Sequence, residues 1–88
     1  MPIRTMNKLP LRYAILMAGP DRIFLRSSHT SLERCRSRIR EDMRLGSLKD
    51  WTWSIVELRE AGAVDSFAPI PACTTIEGPY TIANPPAE

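Results

Sequence analysis

The sequence has no run of about eighteen apolar residues. Its most apolar stretch, Leu9 to Gly19, is short and broken by Pro10 and Arg12, which argues against a membrane-spanning helix. Arg12 also interrupts the apolar core that a secretory signal needs, and no small-residue cleavage site follows at a suitable distance, so a cytoplasmic location is expected. Histidine occurs once, as His29, and cysteine twice, as Cys35 and Cys73, with no C-x-x-C. A structural zinc needs about four such ligands, so no metal is expected, nor any other cofactor. A Cys35–Cys73 disulfide would run against a reducing cytoplasm. The four glycines stand apart at 19, 46, 62 and 78, which leaves neither a phosphate-cradling loop nor a nucleophile elbow.

What remains is the composition of an ordinary folded domain, 43% apolar and 25% charged over 88 residues. A chain of this length hides roughly 60 to 65% of the surface that its unfolded form exposes, so one small core must serve every element. Residues 1–88 are therefore expected to form a single domain with little room for a deep enzyme cleft. Charge is divided unevenly along it. Residues 1–30 carry Arg4, Lys8, Arg12, Arg22 and Arg26 against Asp21; residues 31–50 set Arg34, Arg36, Arg38, Arg40, Arg44 and Lys49 against Glu33, Glu41, Asp42 and Asp50. Residues 51–88 are acidic, with Arg59 against Glu57, Glu60, Asp65, Glu77 and Glu88, and the whole chain nets +2. A basic half attracts nucleic acid or an acidic protein surface, and an acidic half attracts basic channels.

Met1 to Lys8 shows no period and reads as a loose lead-in. From Leu9, apolar residues occupy both alternating sets, which fits a strand apolar on both faces. Gly19-Pro20-Asp21 is turn chemistry, and Arg22 to Ser27 forms a returning strand. With Pro20 and Asp21 at the turn centre, Ala18 pairs with Ile23, Met17 with Phe24 and Leu16 with Leu25. One face then carries Ala14, Leu16, Ala18, Ile23 and Leu25, small enough for a helix to pack closely on it. The other carries Leu11, Tyr13, Ile15, Met17 and Phe24.

Thr30 with Glu33 three residues on predicts a capping box, and Leu32, Cys35, Ile39 and Met43 give one apolar stripe. Gly46 supplies a left-handed terminator, so a helix is expected over Ser31–Leu45, followed by a loop from Ser47 to Asp50. Trp51 to Arg59 reads as a third strand, with Trp51, Trp53 and Ile55 on one face and Val56 and Leu58 on the other, or with a bulge that shifts the register midway. Residues 61–88 form a Pro-rich extended segment, with short edge strands at Ala72–Glu77 and Tyr80–Ala83 around Gly78-Pro79. The predicted fold is an α+β two-layer domain: a β-β-α-β core over residues 9–60, one antiparallel sheet and one main helix, with the Pro-rich segment packing on or beside the sheet. One helix covers one face of a sheet. The second face needs that segment, a second copy of the chain or a foreign partner.

His29 is the only candidate general base near neutral pH, and it reads as an exposed loop residue ahead of the helix cap. Glu41 and Asp42 point about 100° apart on a helix, so they do not form a carboxylate pair. Arg36, Arg40 and Arg44 recur every four residues along one helix flank and would suit a phosphate backbone or an acidic protein surface. Glu33 and Asp42 offset part of that charge within the helix. Arg22 and Arg26 form a second basic group on the hairpin, and Glu57, Glu60 and Asp65 are acidic candidates for a basic partner. Trp51 and Trp53 add the residue type that dominates interface hot spots.

The hairpin, the helix S-L-E-R-C-R-S-R-I-R and the strand W-T-W-S-I-V-E-L together resemble the small α+β proteins of phages and mobile elements, a group that includes several anti-CRISPR proteins. The resemblance covers roughly residues 9 to 60 and rests on size and layout, with no shared site residues. It implies a non-enzymatic, stoichiometric binding protein in the host cytoplasm that inhibits or modulates a larger nucleic-acid-handling complex by occupying one of its surfaces. A small nucleic-acid-binding module that uses the helix arginines is the alternative, and a homodimer sealed by the aromatic sheet face is a third.

Overall fold

The computed structural model describes residues 9–45 and 48–87. Its elements are β1 (Tyr13–Ala18), β2 (Ile23–His29), α1 (Leu32–Met43), β3 (Thr52–Leu58) and β4 (Cys73–Tyr80). The strands form one antiparallel sheet in the order β2-β1-β3-β4. With α1 packed on β1, β2 and β3, this is the α+β two-layer arrangement expected. The lead-in at residues 1–8, the terminator Gly46 and the first residue of the 47–50 loop lie outside the described residues.

The turn closes as its chemistry predicts. The Gly19 amide donates to the Arg22 carbonyl at 2.8 Å, and Leu16, Met17 and Ala18 oppose Leu25, Phe24 and Ile23. The pairing then slips by one residue, because Ile15 opposes Ser27 and Arg26 becomes the extra residue of a bulge. Beyond it Ser28 and His29 pair with Ala14 and Tyr13, so β2 ends at His29 rather than Ser27. This moves the helix cap. Thr30 carries the chain out of the sheet, and Ser31, in extended backbone, caps the helix by accepting the Arg34 amide at 3.2 Å. Glu33 therefore falls at the second helical position, outside the geometry of the expected capping box, although its charge still favours the first turn. The helix stops at Met43, and the Arg44 and Leu45 amides close a last turn on the Glu41 and Asp42 carbonyls.

The helix lies on the face opposite to the one expected. Cys35 and Ile39 pack with Ile15, Met17, Trp53 and Ile55, joined by Tyr13, Phe24, Leu32, Met43, Leu48, Trp51 and Tyr80. A helix stripe of only four apolar residues needs bulky sheet residues to fill the space beneath it, which the Tyr13–Ile15–Met17 face supplies and the Ala14–Leu16–Ala18 face does not. Ala14, Leu25, Val56 and Leu58 form a second core on the other face, with Leu16, Cys73 and Val64 against it. Val64 comes from the connection between β3 and β4. Val64 thus brings one side chain of the Pro-rich segment against this second core.

β3 pairs with β1 without interruption and is apolar on both sides, so the register shifts affect only its pairing with β4. Residues 73–80 form one strand through Gly78-Pro79 where two short ones were expected. Gly78 has a φ of +101°, and a Cβ there would stand 2.8 Å from the Trp53 carbonyl oxygen. Only glycine lets the edge strand approach β3 so closely.

Candidate functional site

The arginines proposed as binding residues fall into three different settings. On the β2 side, the bulge turns Arg26 toward the helix, where Nε donates to Asp42 Oδ2 at 2.7 Å and Nη2 to Oδ1 at 3.2 Å. Arg38 Nε lies 3.5 Å from the same carboxylate. Asp42 is buried, so Arg26 is committed to closing the interface between β2 and α1.

On the β4 side, Arg36 makes a two-pronged contact with Glu77, which also accepts from the Tyr80 hydroxyl at 2.7 Å. The hydrogen bond from Arg36 holds the Glu77 carboxyl below the usual carboxylate range, helped by Tyr80 and opposed by burial. The bond to Glu77 also raises the Tyr80 phenol. Arg40 Nη1 donates to the Ala87 carbonyl at 2.9 Å. Arg36 and Arg40 line a cleft of about 340 Å³ with Glu33, Glu77, Tyr80 and Ala87, while Arg44 is exposed at the helix end. The row is therefore not a free basic face.

The third setting is at the hairpin end. Gly19 brings the chain so close to Trp51 that a Cβ would lie 2.6 Å from the indole, and Trp51 meets Phe24 edge-on at 5.8 Å between ring centres. The Arg22 guanidinium lies 4.1 Å from the centre of the Phe24 ring and 5.1 Å from that of Phe67. Phe67 is 87% exposed and Ile23, next to Arg22, is 56% exposed. Their backbone is nevertheless tied down. Arg22 Nη2 donates to the Ser66 carbonyl at 2.8 Å, Ser66 Oγ to the Leu25 carbonyl at 3.1 Å, and the Phe67 amide to Asp65 Oδ1 at 2.9 Å.

Asp65, proposed as a charge for a basic partner, instead shapes the turn that carries Phe67. Glu57 is exposed on β3 opposite Tyr13, at the other end of the sheet. It lines a cleft of about 480 Å³ with Arg12, Arg59, Cys73 and Thr74; Glu60 is exposed just beyond. The three acids are thus not brought together. Trp53 is fully buried, which corrects its assignment as a contact residue, whereas Trp51 stays half-buried in the hairpin-end cluster. Sequence reasoning missed Phe24 and Phe67 as partners of Arg22, and Glu77 and Tyr80 as partners of Arg36. The available signal was Phe67 itself, a large aromatic in a stretch with no strand or helix period.

His29 lies in β2 rather than in a loop, half-buried, with Nε2 2.8 Å from Ser27 Oγ. Burial lowers its pKa, as do the Arg38 and Arg34 charges, against an opposing effect from Asp42. Cys35 and Cys73 are free thiols in the cores on opposite faces of the sheet, so the sheet itself separates them. Among the described residues no helix is long and apolar enough to cross a membrane, and no group of three or more His, Cys, Asp or Glu could hold a metal ion. No protein-family model, curated protein or solved structure matches the chain.

Proposed function

We propose that the chain is a non-enzymatic, stoichiometric binding protein that modulates or inhibits a larger nucleic-acid-handling assembly by covering one of its surfaces, as its resemblance to anti-CRISPR proteins implies. The observation that carries this reading is the exposed Phe67 held on a turn fixed by three hydrogen bonds, with Arg22 between it and Phe24. An aromatic ring at 87% exposure adds little to the fold, and its fixed position lowers the ordering cost of binding. An arginine beside it supplies directional donors for a carboxylate or a carbonyl.

The test compares tagged wild-type chain with Phe67→Ala and Arg22→Glu in affinity capture from nuclease-treated host lysate, followed by reconstitution with the purified assembly. Wild type is expected to form a complex of fixed stoichiometry that displaces nucleic acid from the assembly; both variants are expected to lose it, and Phe67→Ala, which removes no hydrogen bond of the turn, is expected to melt as wild type does. Equal binding by all three would remove the hairpin end from the site. Capture only when nucleic acid is left intact, with steep weakening as salt rises, would replace this reading with a nucleic-acid-binding module using the helix arginines. Arg36→Glu is unsuited to the test because it would set a carboxylate against Glu77.

A further inference from the structure

The helix returns alongside the strand that precedes it. After the link at Thr30 and Ser31, Asp42 near the helix end is back beside Arg26, so α1 runs antiparallel to β2. Four helix residues rise about 6 Å and two strand residues about 6.6 Å. Arg38 and Arg34, at steps of four before Asp42, therefore come level with the stretch from Ser27 to His29. That stretch faces them, because Ser27 and His29 oppose Ile15 and Tyr13 on the side of the sheet that the helix covers. Burial, followed by the charges of Arg38 and Arg34, lowers the His29 pKa, which agrees with this placement.

The guanidiniums of Arg26, Arg34 and Arg38 meet the single carboxylate of Asp42 along this seam. Arg26 takes both Asp42 oxygens, and Arg38 Nε, 3.5 Å from one of them, is closed to solvent with no hydrogen-bond partner among the described residues. Glu41 is exposed and forms no ion pair with Arg34 or Arg38 among the described residues. Three positive charges against one negative leave two in excess. The Arg38 side chain is 41% exposed and Arg34 is exposed, so both are open to a ligand. Ser27 Oγ and His29 Nε2 form one hydrogen bond of 2.8 Å. Either direction of that bond leaves a second donor: Nδ1–H of the neutral ring when the hydroxyl donates, the hydroxyl when Nε2–H donates.

We propose that the seam between β2 and α1 binds a phosphate dianion, free or as a monoester, with Arg34 and Arg38 as its charge partners and the Ser27–His29 pair as its neutral donor. A phosphate monoester carries about −1.5 to −2 at pH 7, which matches the excess. A carboxylate or a phosphodiester carries one charge and leaves the seam positive. The guanidinium fork also fits phosphate oxygens two at a time. The site is separate from the hairpin end and from the row of Arg36, Arg40 and Arg44, and it does not depend on the function proposed above.

The test titrates the full chain with inorganic phosphate, phenyl phosphate or dimethyl phosphate at pH 7.5 and constant ionic strength, and follows the Arg38 Nε–H and His29 ring signals by NMR. Both dianions are expected to shift these signals and to bind about ten times more tightly than the diester. Tighter binding of inorganic phosphate would assign the site to the free ion, and tighter binding of phenyl phosphate to a monoester; either supports the proposal. Arg38→Gln and Arg34→Gln should each weaken binding about tenfold, whereas Lys49→Gln, at an exposed loop residue, should leave it unchanged. Arg34 makes no contact with Asp42, so its variant keeps the proposal testable if Arg38→Gln does not fold. Signals unmoved by either dianion would overturn the proposal. So would equal affinity for dianion and diester, or a loss in Lys49→Gln as large as in Arg34→Gln, since both describe a general attraction to a basic surface.

Discussion

At the scale of single residues, chemistry is distributed by which face of the sheet a side chain occupies. Burial beneath the helix pushes the Cys35 thiol up to about 11, reinforced by the Glu77 charge and offset by Arg36. Cys73 is only half-buried on the edge strand. A maleimide at pH 7.5 should therefore modify Cys73 well before Cys35 in the native protein, and peptide mapping of a timed reaction would show it; equal rates would mean that the edge strand and the core open together. His29 gives a pH signature. Its native pKa lies below the ordinary 6.5, so the unfolded chain takes up a proton first as pH falls. Its contribution to stability is complete above pH 6.5 and is lost as pH drops toward the lower native value. Glu77 adds the same sign at more acid pH, below the ordinary 4.5. Denaturation of wild type and His29→Gln between pH 7.5 and 5 should show a slope in the first that the second has lost; parallel curves would mean that burial of His29 has no effect on its proton.

At the scale of elements, the cap and the bulge decide how the helix sits. Ser31→Ala should cost about 1 kcal/mol and Thr30→Ala markedly less, measured by urea unfolding; the reverse order would restore the cap to Thr30. Removal of the Asp42 carboxylate by Asp42→Ala leaves Arg26 and Arg38 facing one another. The general cost of breaking a buried pair falls here because the Arg26 side chain is a third exposed, which leaves about 2 kcal/mol. The elements themselves were legible because their signals are local: turn residues for the hairpin, alternation for β3, spacing of three and four for α1. The helix face was not, because the strand order β2-β1-β3 determines it, and that order is a property of the whole sheet. Asp42 was legible as the intrahelical partner of Arg38, four residues before it, but the long-range arginine partners were not. Asp42 lies 16 residues from Arg26, and Glu77 lies 41 from Arg36, so one arginine on the hairpin and one of the helix row are neutralised by pairs that only the fold brings together.

At the scale of the whole molecule, the connection between β3 and β4 has a structural role and the contact role proposed above, and substitutions can separate the two. The Gly62 amide donates to the Leu11 carbonyl at 2.9 Å, Val64 closes the second core, and Ser66 fixes the chain to β2. The segment thus crosses the back of the sheet from β3 to β2, and Phe67 emerges only after the crossing is complete. Val64→Ala removes two methyl groups from that core and should cost about 1 to 2 kcal/mol, a fall in Tm of roughly 5 to 15 °C for a domain of this size. Phe67→Ala removes a ring that is almost wholly in water and should leave Tm within about 2 °C. Their effects on partner binding should run the other way. Phe67→Ala deletes the proposed contact, whereas Val64→Ala leaves the ring in place on a loosened strap and should weaken binding by less, mainly through faster dissociation. Calorimetric melting and binding kinetics on the two variants would separate the roles. If Val64→Ala lowered Tm and abolished binding as completely as Phe67→Ala, the partner would be reading the back face of the sheet rather than the ring, and the contact surface would have to be extended from the hairpin end to the whole strap.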